Sequence, residues 1–429
     1  MPKILQTGTY SASNKGDATL QLVTARMLSR HVGDAHITIS CPFPEQDATA
    51  YRPFAVSGTS RRNLVTGTVL LLRALLWRTL QNVGIDWAGL IAHPELRAFH
   101  SADLVVDVSG DMLTEDYGPH VAYSHFLPIL TALALKRPVM IMAQSVGPFS
   151  LTRPLARLML NRVDRITVRD ELTVDQLRSL RLTNTSVELT ADVAFCLEAA
   201  DAARAEAIMV EEGISIGDRP LLGVAVSRLI AQKFWRKAND TAKHATFQDF
   251  FANLLDEAAR TLGADVVFIP HVLGPRNSAD DRILSSEIAA RMQSQAHVIH
   301  GDYHPEETKA VIARCALFLG SRMHANIAAL TSGVPAVAVS YSHKMPGVFD
   351  RLGVGEFVCP LTDLTQDHIL QLLERASEQR KEVHAQISAH LPDLERRAIR
   401  NFDIAADLLS ERAGGRQCEV NPAPAERSE

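Results

Sequence analysis

The feature that most constrains the fold is the alternation of short, continuously apolar runs with amphipathic helical segments along the whole chain. A strand that is apolar on both faces needs cover on both faces, which it finds in a parallel sheet flanked by helices. The alternation predicts two series of strands, at 3–7, 35–40, 104–108, 139–143, 166–168 and 187–189, then at 222–226, 265–269, 297–299, 317–319 and 336–339.

An Ala- and Glu-rich segment that ends with Gly213, Gly217 and Pro220 separates the two series. We therefore predict an α/β protein with two doubly wound, Rossmann-like domains that face each other across a cleft. The predicted divisions are an N-terminal domain at 1–205, a C-terminal domain at 218–366, C-terminal helices at 367–413 and a disordered tail at 414–429.

The charge balance and the cysteines exclude several classes of function. Lys and Arg number 44 against 49 Asp and Glu, which is too even for a general nucleic-acid binder. The five cysteines are scattered without a CxxC pair, so a disulfide framework or a structural zinc site is not expected. The first residues, MPKILQTGTY, lack the pattern of a signal peptide, and we predict a cytoplasmic protein.

One apolar run allows a membrane contact. Residues 64–77 are apolar except for Arg73, and Arg61, Arg62 and Arg78 flank them. The run predicts either a helix packed in the core or an interfacial helix on anionic lipid. A peripheral contact with the inner face of the cytoplasmic membrane therefore stays open.

The strongest candidate site is the string GSRMHAN at residues 320–326, because it follows a predicted strand and begins a helix that ends at Gly333. Ligands of such sheets bind beyond the carboxyl ends of the strands. Ser321 is expected to cap the helix. Arg322, His324 and the helix N-terminus then form an anion site, with His324 as a general acid. The alternative is that Arg322 pairs with a carboxylate and His324 only packs.

Two further strand ends in the second half carry polar residues. Lys344 lies in the string YSHK, and its ammonium group suits a phosphate or carboxylate. The alternative is that Lys344 is an ordinary solvated lysine without a ligand. His271 follows another strand and precedes Asp280 and Asp281. Their spacing matches no zinc or calcium pattern, so no metal is predicted.

The first half also offers strand-end loops. The loop at 7–17 lacks GxGxxG spacing, which argues against dinucleotide binding and leaves structural and acceptor-binding roles open. Arg169 follows the strand at 166–168 and is expected to point towards the cleft, while Asp170 caps the next helix. Ordinary turn chemistry is the alternative for each of these loops.

Several strings, taken in order, resemble the polysaccharide pyruvyl transferase family over about residues 3–355, most of all its bacterial exopolysaccharide branch, such as colanic acid pyruvyl transferases. They are NKGD at 14–17, VSGD at 108–111, SVGPF at 145–149, VRD at 168–170, ADVA at 191–194, SRMH at 321–324 and YSHK at 341–344. The chain departs from the family at Ser109, since many relatives have Gly-Gly there, which bears on loop geometry and acceptor preference.

The resemblance implies a glycosyltransferase-B-like fold, phosphoenolpyruvate as co-substrate with no other cofactor, and a sugar or lipid-linked oligosaccharide as acceptor. The product would be a cyclic pyruvate ketal, with phosphate released. The N-terminal domain would hold the acceptor and the C-terminal domain the donor. A homo-oligomer is left open.

The resemblance also assigns the site residues, with His324 as the catalytic acid and no metal. The expected phosphoenolpyruvate ligands are Arg169, Ser321, Arg322 and Lys344. The expected acceptor-binding or cleft-lining residues are Asn14, Gly16, Asp17, Gly110, Asp111, Gln144, Ser145, Asp192, His271 and Tyr341.

Two other functions remain compatible with the sequence. A nucleotide-sugar-dependent glycosyltransferase has the same fold class and would bind a nucleoside diphosphate in the C-terminal domain. A non-catalytic sugar-binding protein would bind a sugar and release no phosphate from phosphoenolpyruvate.

Overall fold

The computed structural model describes residues 1–214, 217, 219–236, 243–341 and 344–420. They form two compact units. The first unit contains Met1–Thr9, Gln21–Val193 and the described residues from Arg397 onward, and the second contains Tyr10–Leu20 and Ala194–Arg396.

Each unit is built on one sheet. The strands of the first are β1 (Lys3–Thr7), β2 (His36–Cys41), β3 (Ala55–Gly58), β4 (Leu104–Asp107), β5 (Val139–Gln144), β6 (Arg165–Val168) and β7 (Ser186–Leu189). The strands of the second are β8 (Leu221–Ala225), β9 (Asp265–Phe268), β10 (Ala296–Val298), β11 (Leu317–Gly320), β12 (Ala336–Ser340) and β13 (Val358–Pro360).

Helices alternate with these strands. Those of the first half are α1 (Lys15–Val32), α2 (Pro44–Asp47), α3 (Leu64–Asn82), α4 (Pro94–Ser101), α5 (Pro119–Ala134), α6 (Arg153–Leu160), α7 (Glu171–Ser179) and α8 (Ala202–Glu211). Those of the second half are α9 (Arg228–Arg236), α10 (Lys243–Leu262), α11 (Asp281–Ala289), α12 (Pro305–Ile312), α13 (Met323–Thr331), α14 (Lys344–Arg351), α15 (Gln366–Glu378) and α16 (Arg380–Val420).

Both sheets are parallel and doubly wound. The strand orders are β3-β2-β1-β4-β5-β6-β7 and β10-β9-β8-β11-β12-β13. In each order, β1 or β8 lies at the point where the chain reverses its direction of winding, and ligands of open α/β sheets bind at that point. The buried runs of β4, β5, β8 and β12 agree with strands covered on both faces. The predicted α/β class with two Rossmann-like sheets is confirmed.

The sequence missed one edge strand in each sheet, β3 and β13. Both are short, β3 is largely exposed, and β13 ends at Pro360, so neither shows a continuous apolar run. Edge strands pair on one side only and need less apolar surface, which removes the signal that identified the central strands.

The division of the chain differs from the predicted one. The units change at Val193 and Ala194 instead of between residues 205 and 218. The predicted C-terminal helices are α15 and α16, but α16 from Arg397 onward belongs to the first unit, where Phe402 is fully buried beside His31. Helix α16 also continues to Val420, into the predicted disordered tail, and residues 421–429 lie outside the described residues.

Asn401 fastens α16 to the first sheet. Its Oδ1 accepts hydrogen bonds from the hydroxyl groups of Thr167 (2.5 Å) and Thr190 (2.9 Å). Its Nδ2 donates to the carbonyl groups of Ala191 (3.1 Å) and Ala398 (2.9 Å). Because Asn401 is fully buried, water cannot replace these bonds if the amide is removed.

We expect Asn401→Ala to lower the free energy of unfolding by about 3 kcal/mol, since it leaves buried hydroxyl and carbonyl groups unpaired. Denaturant unfolding measures the change. The matched control is Arg400→Ala, which removes an exposed pair with Glu188 and should change the free energy by less than about 1 kcal/mol. Equal effects of the two substitutions would contradict the structural role of Asn401.

Candidate active site

The candidate site of the second unit is built where β8, β9, β11 and β12 end. The N-terminal segment Tyr10–Leu20 forms part of it. The amide of Leu273 donates to the carbonyl of Ser13 (2.8 Å), and the amide of Lys15 donates to the carbonyl of His271 (2.8 Å). Asn14 also forms an antiparallel bridge with Val272. The sequence string NKGD is therefore fixed beside the strand end that carries His271.

Arg322 is held by Asp281. Its Nε donates to Oδ2 of Asp281 (3.0 Å) and a terminal nitrogen donates to Oδ1 (2.7 Å), a bidentate geometry. Burial raises the pKa of Asp281, whereas Arg322 and the amide groups of Arg228 and Val272 act in the opposite direction. With donors on both oxygens, we describe the group as a carboxylate. The pairing of Arg322 with a carboxylate, which is the first half of the alternative stated above, is confirmed, and the role of His324 stays a prediction.

Helix α13, which follows Arg322, begins one residue later than the sequence indicated. Arg322 is the N-cap of α13, without a side-chain capping bond. Ser321 instead donates its hydroxyl to the carbonyl of Ala225 at the end of β8 (2.9 Å). The expected cap at Ser321 is therefore wrong, because the neighbouring strand offers a buried acceptor to its side chain. Asn326 donates to the carbonyl groups of Gly320 and Arg322, both at 3.1 Å, and so supports the turn.

His271 is a buried, neutral imidazole. Burial is the main cause that lowers its pKa to about 3, and Arg322, His324 and Lys15 act electrostatically in the same direction. Its Nδ1 lies 3.2 Å from the carbonyl oxygen of Ile269. Two of these residues are tied to the His271 loop by hydrogen bonds. Lys15 donates its amide to the His271 carbonyl (2.8 Å), and the Asp281 carboxylate that holds Arg322 also accepts from the amide of Val272 (3.1 Å).

His324 packs directly on Gly16. A Cβ at position 16 would overlap Nδ1 of His324, so only glycine leaves room for the ring. Asn14 and Asp17 shape the same loop, since the Asn14 amide donates to Asp17 (3.1 Å) and Asp17 accepts from the amide of Tyr10 (2.8 Å). The structure thus brings Asn14, Gly16 and Asp17 together with His271 and His324.

Lys15 is a cation of the site that the sequence analysis did not single out. It is 5% exposed, and its Nζ donates to the carboxylate of Asp302. The side chain of Asp302 is 63% exposed, so the carboxylate lies at the surface while the ammonium group is buried. The signal was present in the string NKGD, where Lys15 lies between Asn14 and Gly16, two of the predicted site residues.

Lys344 and Tyr341 follow β12 at the same edge of the second sheet. Lys344 begins α14 and is half-buried, and its neighbour Met345 accepts a bond from Asn326 (3.5 Å). These residues are therefore next to the first turn of α13. Ser342 and His343 of the string YSHK lie outside the described residues.

Arg169 belongs to the first unit and is surrounded by carboxylates. It donates to Asp192 (2.5 Å) and to the hydroxyl of Ser145 (3.0 Å), and Asp111 and Asp170 also stabilise its charged form and help to raise its pKa, against the effect of burial. Asp170 caps α7 through the amide of Thr173 (2.8 Å), as expected. The predicted donor ligands therefore fall into two groups, Arg169 in the first unit and the others in the second.

A second buried polar network follows β4 in the first unit. Oδ1 of Asp107 accepts from the Ser109 hydroxyl and from Nε2 of Gln144, both at 2.6 Å. The same Ser109 hydroxyl lies 3.0 Å from Nδ1 of His125, which is 3.3 Å from the Arg61 guanidinium. Burial, and then the charge of Arg61, lower the pKa of His125 far below its usual value.

The sequence did not predict most of this network. Arg61 was expected as a basic flank of the apolar run, but it is buried and donates to the carbonyl groups of Gly8 and Thr9. Among the described residues, Oδ2 of Asp107 and Oε1 of Gln144 are buried acceptors without a protein donor. Nearby, Gly110 has a φ of 69°, and Asp111 accepts from the hydroxyl of Tyr117 (2.9 Å).

The described part of the chain contains no group of three or more His, Cys, Asp or Glu residues arranged to hold a metal ion. Asp280, considered with Asp281 at the sequence level, instead caps α11 and pairs with Arg282 (2.7 Å).

Comparison with known proteins identifies the family and the fold. Residues 14–343 match the family model described as polysaccharide pyruvyl transferase. The amylovoran biosynthesis protein AmsJ of Erwinia amylovora is 23% identical over 423 residues, which cover 95% of this chain and 99% of that protein.

Two solved structures share the architecture. The UDP-GlcNAc 2-epimerase of Neisseria meningitidis, bound to UDP-GlcNAc, has a TM-score of 0.60 at 12% identity, over 96% of this chain and 100% of that one. A glycosyltransferase of Rickettsia africae has a TM-score of 0.53 at 11% identity, over 95% of this chain and 98% of that one. At these identities the likeness concerns the fold, and it confirms the glycosyltransferase-B-like class.

The neutral state of His271 predicts acid sensitivity. Its pKa is about 3 in the folded chain and about 6.5 when unfolded, so the unfolded chain binds one more proton between these values. The stability that neutral His271 contributes is complete above pH 6.5 and decreases by about 1.4 kcal/mol per pH unit as the pH falls towards 3.

Denaturant unfolding between pH 6 and pH 4 tests this expectation. The pH slope of the unfolding free energy should be shallower by about 1.4 kcal/mol per unit in His271→Gln than in the unsubstituted protein. The control is His390→Gln, at an exposed position of α16, which should keep the original slope. An unchanged slope in His271→Gln would show that His271 is not buried as a neutral ring.

Proposed function

The chain belongs to the polysaccharide pyruvyl transferase family, and from this premise we propose that it transfers pyruvate from phosphoenolpyruvate to a sugar diol. The acceptor is a polysaccharide or a lipid-linked precursor, and the product is a cyclic ketal. The observation that carries the proposal is that Lys15, Arg322 and His324 meet at the His271 loop. Lys15 is bonded to it through its amide, Arg322 is joined to it through Asp281, and His324 packs on Gly16 of the same N-terminal segment.

The charges of the second unit suit this donor. Phosphoenolpyruvate is small and carries a phosphate and a carboxylate, so it needs several cationic donors within a short distance. Arg322 provides a planar guanidinium whose orientation is fixed by Asp281. Lys15 and Lys344 provide point charges. Since the Asp302 carboxylate is exposed, water can solvate it when it leaves Lys15, and an anionic group of the donor can take its place on the buried ammonium group.

His324 is the proposed general acid. It gives a proton to the methylene carbon of phosphoenolpyruvate, which becomes the methyl group, while a sugar hydroxyl attacks the central carbon. The second hydroxyl then attacks the same carbon, and the C–O bond to phosphate breaks. One hydroxyl proton restores His324 and the other leaves with phosphate, so no redox partner or further cofactor is involved.

The polar edge of the first sheet is the proposed acceptor-binding region. Asp111, Gln144, Ser145 and Asp192 supply carboxylate, amide and hydroxyl groups that suit the hydroxyl groups of a sugar. Arg169 retains its proposed role as a donor ligand, although Asp192 pairs with it in this structure. Because phosphoenolpyruvate is made in the cytoplasm, we place the reaction there.

Donor binding can be measured by thermal unfolding with phosphoenolpyruvate and, in parallel, with UDP. Phosphoenolpyruvate at about 100 times its Kd should stabilise the protein by about 2.7 kcal/mol, and UDP should have no effect. Lys15→Met should weaken phosphoenolpyruvate binding about tenfold, because it removes a charged hydrogen-bond donor.

Lys381→Met is the matched control. Lys381 is exposed on α16, so the variant protein should bind the donor as tightly as the unsubstituted protein does. Stabilisation by UDP alone would favour the nucleotide-sugar glycosyltransferase. Unchanged affinity of Lys15→Met would remove Lys15 from the donor site.

Turnover tests the role of His324. We expect His324→Ala to bind phosphoenolpyruvate but to release phosphate at least about 100-fold more slowly with a panel of sugar diols, the usual contribution of a general acid. Gly16→Ala should also reduce turnover, because the added methyl group displaces the His324 ring. Normal phosphate release by His324→Ala would rule out this residue as the acid. Sugar binding without phosphate release in the unsubstituted protein would indicate a non-catalytic sugar-binding protein.

A further inference from the structure

Helix α3 has two apolar faces. Gly67, Leu70, Ala74 and Trp77 are buried, and the helix packs on α5. The opposite face is apolar but exposed to solvent. Its members recur at helical spacing and form what we call the α3 stripe, which consists of Val65, Val69, Leu72, Leu75 and Leu76.

The α3 stripe is unusual in its extent. Val65 is 74% exposed and Leu72 is 58% exposed, and the other members are all above 40%. Beyond the end of α3, Val83, Ile85 and Trp87 are exposed as well, the last at 58%. Single exposed apolar residues are ordinary, whereas a contiguous row of them on one helix marks an interaction surface. Trp87 adds an aromatic residue of the kind that is enriched at membrane interfaces.

Basic residues accompany the α3 stripe. Arg62 is exposed at the start of α3 and its guanidinium lies 4.3 Å from the centre of the Phe43 ring. Arg73 donates to the carbonyl groups of Gly89 and Leu90, both at 2.9 Å. Within the described residues, neither arginine forms an ion pair with a carboxylate, so no acidic side chain of the chain balances their charge.

Two more cations lie near the C-terminal half of the helix. Arg78 donates to the carbonyl of Leu133, and Lys136 donates to the side chain of Asn82, both at 3.0 Å. The sequence contains no acidic residue between Asp47 and Asp86, nor in α5. The exposed face of α3 therefore combines apolar and basic side chains, and the nearest acidic residue in the sequence is Asp86, which accepts from Gln81 at the end of the helix.

We propose that the α3 stripe rests on an anionic lipid surface, with α3 parallel to the membrane plane. An interfacial helix combines an apolar face with flanking arginines and lysines, and this combination fits fatty acyl chains below negative headgroups. A second copy of the chain would present the same basic stripe and would offer no carboxylate from α3 itself to these cations. Among the described residues, no helix is long and apolar enough to cross a membrane, so the contact is confined to one leaflet.

Vesicle flotation of the full chain tests the proposal without any substrate. The protein should float with vesicles of 70% phosphatidylcholine and 30% phosphatidylglycerol, and much less with phosphatidylcholine alone. Leu72→Glu/Leu76→Glu should lower the partition coefficient more than about tenfold, because it places charges in the apolar face. Arg62→Gln should lower the partition coefficient about fivefold, because this is the contribution of one basic residue near an anionic surface.

Val210→Glu is the matched control, since Val210 is 76% exposed on α8 in the second unit and its replacement should leave flotation unchanged. A second measurement needs no destabilising variant. Anionic vesicles should shift the tryptophan fluorescence of the unsubstituted protein, and this shift should disappear in Trp87→Phe. The proposal is overturned if the unsubstituted protein stays unbound with anionic vesicles. It is equally overturned if Leu72→Glu/Leu76→Glu abolishes self-association in sedimentation and leaves flotation intact, since the occupant is then a second copy.

Discussion

The bond between Arg322 and Asp281 is the interaction on which the site of the second unit depends. Asp281 accepts two hydrogen bonds from the guanidinium and others from the amide groups of Val272 and Arg228. One carboxylate therefore joins the chain after β8, the chain after β9 and the start of α13. Since both partners are charged and Asp281 is fully buried, removal of either would leave an uncompensated charge, which usually costs about 3–5 kcal/mol.

The two units differ in the electrostatics of their strand ends. In the second, Lys15 and Arg322 are joined by hydrogen bonds to the loop of a histidine that burial keeps neutral, so basic side chains predominate there. In the first, Arg169 is accompanied by Asp192, Asp111 and Asp170, so carboxylates of the chain itself balance its charge. The topology explains why both regions exist, because each doubly wound sheet collects polar residues at the carboxyl ends of its strands.

The central strands and several site residues could be predicted because their signals are local. The sequence pattern identified all strands except β3 and β13, the central ones mostly as continuous apolar runs, and the residues that follow the predicted strands include Arg322, His324 and His271. Partnerships between distant residues have no such signal. Lys15 and Asp302 are 287 positions apart, and nothing in either neighbourhood indicates the other. The error at Ser321 has a similar cause, since its hydroxyl is taken by Ala225 of a strand that is remote in sequence.

The interleaving of the chain restricts how such proteins can exchange parts during evolution. The second unit takes residues 10–20 from the N-terminus, and the first takes the end of α16 from the C-terminus. A single recombination near residue 194 would combine the NKGD loop of one parent with the His271 loop of the other. It would also combine the first sheet of one parent with the Asn401 of the other. Successful hybrids therefore need crossovers that carry residues 10–20 together with the second unit, or compensating changes on both sides. New variants of such a chain should consequently arise by substitution within the loops more readily than by exchange of whole halves.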